Sequence, residues 1–395
     1  MPIRLQRSLG RRRAIFLGLE MMAGIGAFTA ISQFRNAQTQ AQNQVLQRDF
    51  TVSGTAPLRD RAARKGLFYG AAVLRSQLAK DAEFAKSVAR ECNILVSIGE
   101  FKWDMLRVQP DRFNFEPADV LVKFARTHNM RLRGHTLVWH QALPLWVEST
   151  MNNLNAREIM VDHISTVVRR YAGAVHSWDV VNEAIKPEEG REDGLRYTPW
   201  LNFLGPNYID LAFRTAAAAD PKAMLVYNEF GLDYDTPGAN AKRTAVLNLL
   251  TRLKNSGTPI HGLGIQAHLG REGKAKLKPA QLRQFLRNVA DLGLKILITE
   301  MDVTEKAFPT DIQLRDRGIA ALYEDYLSIV LEEPAVIAVL TWGLSDRYTW
   351  LSTAEPRSDE SPVRPLPLDA QMNRKFAWNA IARSFDKTTK RSPVA

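Results

Sequence analysis

Residues 156–184 read AREIMVDHISTVVRRYAGAVHSWDVVNEA. The first sixteen residues put Met160, Ile164, Val167, Val168 and Tyr171 at helical spacing, with charged residues between them. After a short turn, 177–181 is an apolar run too short for a helix, and it ends in Asn182-Glu183. An amphipathic helix feeding a buried strand with polar residues at its C-terminal end is one repeat of an α/β protein. The same alternation recurs on both sides. Strands are expected at 67–72, 94–97, 131–138, 177–181, 224–227, 262–268, 296–299 and 336–341, and helices at 82–91, 117–128, 156–171, 208–219, 239–255, 279–292 and 316–331. Strands that read as continuous apolar runs belong to a parallel sheet covered on both faces. Eight βα units predict an α/β fold with a single (β/α)8 TIM barrel over residues 61–386, followed by a basic tail at 387–395. The competing doubly wound sheet needs a glycine-rich phosphate turn after an early strand, and Phe68-Tyr69-Gly70-Ala71-Ala72 does not supply one. The proline-rich stretch 352–367 reads as a late βα loop.

Composition narrows the function classes. Of 395 residues, 45% are hydrophobic and 24% charged, enough apolar content for a large core. The formal net charge is +11, but residues 1–40 carry six arginines against Glu20, leaving +6 for the rest. No basic run with interleaved aromatics occurs in the body, which excludes nucleic acid as the expected partner. The single cysteine, Cys92, beside Ile94-Leu95-Val96, reads as a buried thiol and allows no intramolecular disulfide. No cofactor is expected. A metal site is not expected either, because the histidines lack ligand spacing and no cysteines accompany them.

The N-terminal segment has its own pattern. Arg11-Arg12-Arg13 precedes an apolar stretch reaching to about Ile31, which resembles a twin-arginine export signal. Residues 1–40 are therefore expected to be an export leader, with a retained membrane anchor as the alternative, and 41–60 a flexible spacer. Periplasmic or secreted localisation follows, with membrane contact confined to the leader and a monomeric body.

Active sites of (β/α)8 barrels gather at the C-terminal strand ends. Here those ends carry His135, Trp139 and His140 (strand three), Asn182 and Glu183 (four), Tyr227, Asn228 and Glu229 (five), Gln266 and His268 (six), Glu300 and Asp302 (seven), and Trp342 with Trp350 beyond (eight). Two carboxylates on separate strands, ringed by amides and tryptophans, suit glycoside hydrolysis. A retaining enzyme needs one carboxyl group to protonate the leaving oxygen and another, about 5–5.5 Å away, to attack the anomeric carbon. Glu183, with Asn182 and Trp178 nearby in sequence, is assigned as acid/base. Glu300, with His268 on the preceding strand and Asp302 beside it, is assigned as nucleophile. Tryptophans offer flat faces for pyranose C–H groups. Trp103, Trp146, Trp178 and Trp378 fit packing as well as they fit sugar platforms, and Asp104 and Glu229 fit surface charges as well as they fit site residues. Asp302 reads as an orienting residue. His140 reads equally well as structural or functional.

Trp178–Ala184 (WDVVNEA), Arg133–His140 (RGHTLVWH) and Ile298–Asp302 (ITEMD) together resemble the signatures of glycoside hydrolase family 10, the endo-β-1,4-xylanases, over residues 67–385. The resemblance implies β-1,4-xylan as the polysaccharide partner and a double displacement. It also implies Asn182 on the sugar 2-hydroxyl, His268 on the nucleophile, Lys102, His135 and Trp139 along the glycone side, and Trp342 and Trp350 over the sugars nearest the cleavage point. Tyr227 and Gln266 complete the expected substrate-binding set. The chain departs from the family pattern at Ile98, Gly99 and Ala142, where the family has Glu, Asn and Gln. That opens the same chemistry on another β-glycan (mixed-linkage β-glucan, aryl β-glycosides) or transglycosylation as alternatives. A catalytically silent polysaccharide-binding protein is the reading from another class.

Overall fold

A computed structural model describes residues 46–392, apart from 271–276 and 307. The strands are β1 (Phe68–Val73), β2 (Ile94–Ser97), β3 (Arg131–Val138), β4 (Ser177–Asn182), β5 (Met224–Glu229), β6 (Gly262–Ile265), β7 (His268–Leu269), β8 (Lys295–Val303) and β9 (Val336–Thr341). All pair in parallel, in the order β1-β2-β3-β4-β5-β6-β8-β9, and β9 pairs back onto β1. The sheet thus closes as an eight-stranded barrel, and the two-residue β7 extends it beside the end of β8. Long helices such as Ala156–Arg170, Pro237–Asn255 and Ile312–Val330 return the chain between strands.

Two glycines show why the strands can close so tightly. A Cβ on Gly134 would lie 2.1 Å from the Trp178 ring, so the bare β3 backbone makes room for that indole. A Cβ on Gly264 would lie 2.2 Å from the Asn228 side-chain oxygen, so β6 leaves space for a polar group inside the barrel.

Three boundaries differ from the sequence expectation. The strand expected at 262–268 breaks after Ile265, because Ala267 takes a left-handed φ of +59° that a continuing strand does not accommodate. The packed body starts ahead of residue 61: Phe50 is buried against Phe376, and the helix Leu58–Arg64 buries Leu58 completely. An eighth outer helix, Phe376–Lys387, follows the last loop and buries Trp378, Ile381 and Phe385 at helical spacing, a pattern the sequence reading left unassigned. Beyond it Arg391 still donates to the Leu331 carbonyl at 2.6 Å, so the expected tail is partly docked. The leader at 1–40 and the first part of the spacer lie outside the described residues. Cys92 is buried.

Candidate active site

The site is built from the polar residues that leave the barrel at its C-terminal mouth. A cavity of about 350 Å³ lies there, lined among others by Lys102, His135, Trp139, Asn182, Glu183 and Glu300. Gln266, His268, Trp342 and Trp350 also face it.

Glu183 is the first residue after β4 and has φ +56°, a left-handed conformation that non-glycine residues adopt at a cost of about 1 kcal/mol or more. This turn ends the strand at Asn182. The Glu183 carboxylate accepts from Trp139 Nε1 at 3.0 Å on one oxygen and from Gln266 Nε2 at 3.0 Å on the other. The two side chains that donate to this carboxylate, an indole and an amide, are both neutral.

Glu300, near the end of β8, sits in a different environment. It is 5% exposed and accepts from Asn228 Nδ2 at 2.8 Å, while His268 Nε2 stands 3.4 Å from its other oxygen. Burial alone would push its carboxyl up. Hydrogen bonds from His268 and Asn228, with the charges of His268 and His135, reverse that and hold it below the usual carboxylate value. Burial likewise opposes a charged His268. The Asp302 carboxylate, 2.8 Å from Nδ1, and Glu300 outweigh it and hold the imidazole up at about 10. At neutral pH the triad is thus an imidazolium clamped between two carboxylates. Asp302 also accepts from Trp350 Nε1 at 2.7 Å, so one fully buried carboxylate orients both a ring donor and a tryptophan wall.

A chain of amides links the two glutamates. Asn228 Nδ2 donates to Glu300 and, at 2.9 Å, to Asn182 Oδ1, and its own oxygen accepts from Thr299 Oγ1 at 2.8 Å. Gln266 donates to Glu183 and lies 3.4 Å from the same Asn182 oxygen. With its oxygen occupied, Asn182 keeps its amide N–H groups for the cavity it lines. On the opposite wall Asp179 pairs with Arg133 and accepts from His135 Nδ1 at 3.0 Å, which fixes the histidine ring. Lys102 Nζ lies 4.9 Å from the Trp139 ring centroid, and burial pulls its pKa down against the pull of Glu300 and Asp104.

A carboxylate pair in contrasting environments at a barrel mouth is the arrangement expected of a glycosidase, and comparison with known proteins agrees. Residues 57–384 match the model of Glycosyl hydrolase family 10. The chain belongs to that family. It is 36% identical over 314 residues to endo-1,4-beta-xylanase B of Thermotoga neapolitana, covering 78% of this chain and 86% of the relative. Among solved structures, native xylanase 10B of Thermotoga maritima superposes with TM-score 0.76 at 33% identity, covering 84% of this chain and 98% of the other. Xylanase 10B of Thermotoga petrophila RKU-1, solved with xylobiose, gives TM-score 0.76 at 33% identity, with coverage of 85% and 99%. This family 10 chain is accordingly a glycosidase.

Most residues named from the sequence do converge on the cavity, and three expectations need correction. Tyr227 does not reach it. Its hydroxyl is buried, donates to Glu229 Oε2 at 2.6 Å and accepts from the Ala184 N–H. Glu229 is no surface charge: it is wholly buried and pairs with Lys242 at 2.8 Å. Trp178 lies in the core, edge-on to Phe101, and contributes nothing to the surround of Glu183. Trp103, Trp146 and Trp378 donate to the Leu137 carbonyl, the Arg107 carbonyl and Glu91 respectively, which makes them packing residues. Asp104 is exposed, which favours the surface-charge alternative.

Ile98, Gln141 and Phe230 also line the cavity, and Asn228 and Asp179, to which the sequence reading gave no role, hold its walls. Strand alternation carried a signal for Asn228. Tyr227 and Glu229, two apart, bond each other on one face, which sends Asn228 to the interior. Of the family departures, only Ile98 lines the cavity. The neighbouring Glu100 is turned away, accepting from Ser97 Oγ and the Arg75 N–H at 2.6 Å each.

Proposed function

We propose that this family 10 chain is a retaining endo-hydrolase of β-1,4-linked xylan, with Glu183 as general acid/base and Glu300 as nucleophile. The supporting observation is the asymmetry of the two carboxylates. Glu300 is held ionised by an imidazolium and an amide, as a nucleophile requires. Glu183 has only neutral donors and opens to the cavity, where a leaving oxygen can take its proton. In the first step a Glu300 oxygen bonds to the anomeric carbon as the glycosidic C–O bond breaks, and the Glu183 proton passes to the departing sugar oxygen. Water then attacks the glycosyl ester, giving its proton to Glu183 and releasing Glu300. Relatives named as endo-1,4-beta-xylanases, one solved with xylobiose, support xylan as the substrate. Time-resolved proton NMR of xylan digestion tests this: the first product signal should be the β-anomer, and an initial α-anomer refutes retention. Glu183→Gln and Glu300→Gln should each abolish release of reducing ends from xylan.

The apolar Ile98 in the cavity wall favours a second reading, the same chemistry on a β-glucan or an aryl β-glycoside. Parallel assays on xylan, mixed-linkage β-glucan and cello-oligosaccharides separate the two. We further propose export of a monomeric enzyme through the Arg11-Arg12-Arg13 leader. Retention of an Arg12→Lys/Arg13→Lys variant in the cytoplasm, against export of the parent, is the expected outcome.

A further inference from the structure

The mouth of the barrel holds Glu183, Glu300 and Asp302, whereas the opposite end is cationic. At that end the backbone links each strand start to the next. Arg131 N donates to Asn93 O at 2.9 Å, His176 N to Leu132 O at 2.8 Å, and Met224 N to His176 O at 3.0 Å. His261 N donates to Leu225 O at 2.9 Å, and Lys295 N to His261 O at 3.0 Å. The starts of β3, β4, β5, β6 and β8 are therefore consecutive neighbours, and at about 4.8 Å per strand they fit within about 20–25 Å. The connections into them, residues 126–131, 169–176, 220–224, 252–261 and 291–295, hold eight Lys and Arg against two acids, Asp220 and Asp291. Asp220 is buried, and its oxygens accept from the backbone N–H groups of Gly173 and Lys222. Acids return before β9, where Glu332 pairs with Arg283 and Glu333 accepts from the Ala335 N–H.

Helix ends account for part of this charge. Arg126, Arg169, Arg170, Arg252 and Lys254 lie in last helical turns, where cations offset the negative end of the helix dipole. Arg131, Lys222 and Lys295 have no such duty. Arg131 and Lys295 open β3 and β8, and Lys222 lies two residues before β5. All three are exposed, and among the described residues none of their side chains has an ion pair or a hydrogen bond. The two histidines between them sit in the same positive field. Burial holds His176 down at about 4 with help from Arg133 and Arg131, and burial and then Lys254 hold His261 below its ordinary value.

We propose that this end of the barrel, with Arg131, Lys222 and Lys295 at its centre, docks on an anionic phospholipid bilayer and holds the mouth facing away from it. Clustered cations attract a charged headgroup surface collectively, without a pocket. The only aromatic ring in these connections besides the histidines is Tyr171, which is buried, so the face offers no flat platform for a sugar. A polysaccharide held here would also be led away from the mouth, whereas a bilayer leaves the mouth open. The chain itself supplies the partner contact: the basic and apolar leader ends near Ile31, and the residues from there to Leu46 can reach about 45–50 Å when extended. A second, charge-based contact turns a single anchor into stable attachment. Membrane contact thus extends from the leader to the body.

The test uses the full chain with vesicles of phosphatidylcholine, either alone or with about 30% phosphatidylglycerol. The readout is binding to the charged vesicles over binding to the neutral ones, which cancels insertion of the apolar leader. Arg131→Gln/Lys222→Gln/Lys295→Gln should lower that ratio about tenfold or more at about 50 mM NaCl, with the thermal melt unchanged. Hydrogen exchange on wild type gives a second readout that does not depend on a variant folding. Charged vesicles should slow exchange in 126–131, 220–224 and 291–295 and leave 139–142 and 183–186 at the mouth as they were. Equal ratios in the two proteins, or protection at the mouth instead, overturn the proposal. So does slowing of the same basal segments by polygalacturonate but not by charged vesicles, which would make the face a polysaccharide site.

Discussion

Replacing Asn228 by Ala should shift the acid limb of the pH–rate profile upward, because Asn228 supplies one of the two donors that keep Glu300 ionised. Its amide nitrogen lies 2.8 Å from Glu300 Oε1, in a fully buried position. A hydrogen bond to a charged acceptor contributes about 1.5–3 kcal/mol. Its loss therefore raises the Glu300 pKa and moves the acid limb up with it. The sign follows from linkage: a carboxyl held low in the folded state stabilises the protein above its ordinary value, and that contribution fades as pH falls through the folded value. In Asn228→Ala the fading begins at higher pH, and the buried Thr299 hydroxyl loses its acceptor as well. The assay is kcat/KM on a soluble xylan oligosaccharide from pH 3 to 8, with thermal melts over the same range. Thr299→Val, which only frees the Asn228 amide to rotate, should give a smaller shift in the same direction. An acid limb that stays in place while kcat falls would refute the electrostatic role and leave Asn228 as a spacer.

Four further outcomes are expected. Glu183→Ala should lose about 10²–10⁴-fold on xylan yet far less on an aryl glycoside whose phenol leaves without protonation, so equal losses on both would remove Glu183 from the acid role. His268 is held up at about 10, so its stabilising contribution is complete below about 6.5 and is lost as pH climbs towards 10. The melting temperature of wild type should therefore decline over that alkaline window more than that of His268→Asn, and parallel curves would contradict the clamp. Tyr227→Phe should destabilise by about 1–2 kcal/mol through the Glu229 and Ala184 contacts with kinetics little altered, whereas a large rise in KM would restore Tyr227 to the binding set. Ile98→Glu should raise kcat/KM on xylotriose about fivefold relative to an aryl xyloside by adding an acceptor for sugar hydroxyls to the cavity wall, and an unchanged ratio would make Ile98 irrelevant to sugar preference.

The fold was legible from local pattern. Each barrel strand is a short apolar run and each outer helix carries a one-sided stripe, and both are period effects that need only a few neighbouring residues. The reading failed where local pattern is silent. The strand that begins at Gly262 stops because Ala267 turns left-handed, which no side chain there announces.

In the site, sequence alone determined which residues gather at the mouth, because a closed parallel barrel sends every C-terminal strand end to one rim. Tertiary structure decided which way each of them faces and which donors it meets. Tyr227 and Asn228 are adjacent in β5, yet one serves the buried Glu229 and the other grips Glu300. Asp179 and Asn182 are three apart and still both join the polar network of the barrel, since the β4–β5 register shifts between Asp179 and Val181. The distinction between Glu183 and Glu300 is likewise absent from their own flanking residues. It comes from donors on other strands, His268 and Asn228 for one and Trp139 and Gln266 for the other, and only closure of the barrel brings those donors within hydrogen-bonding reach.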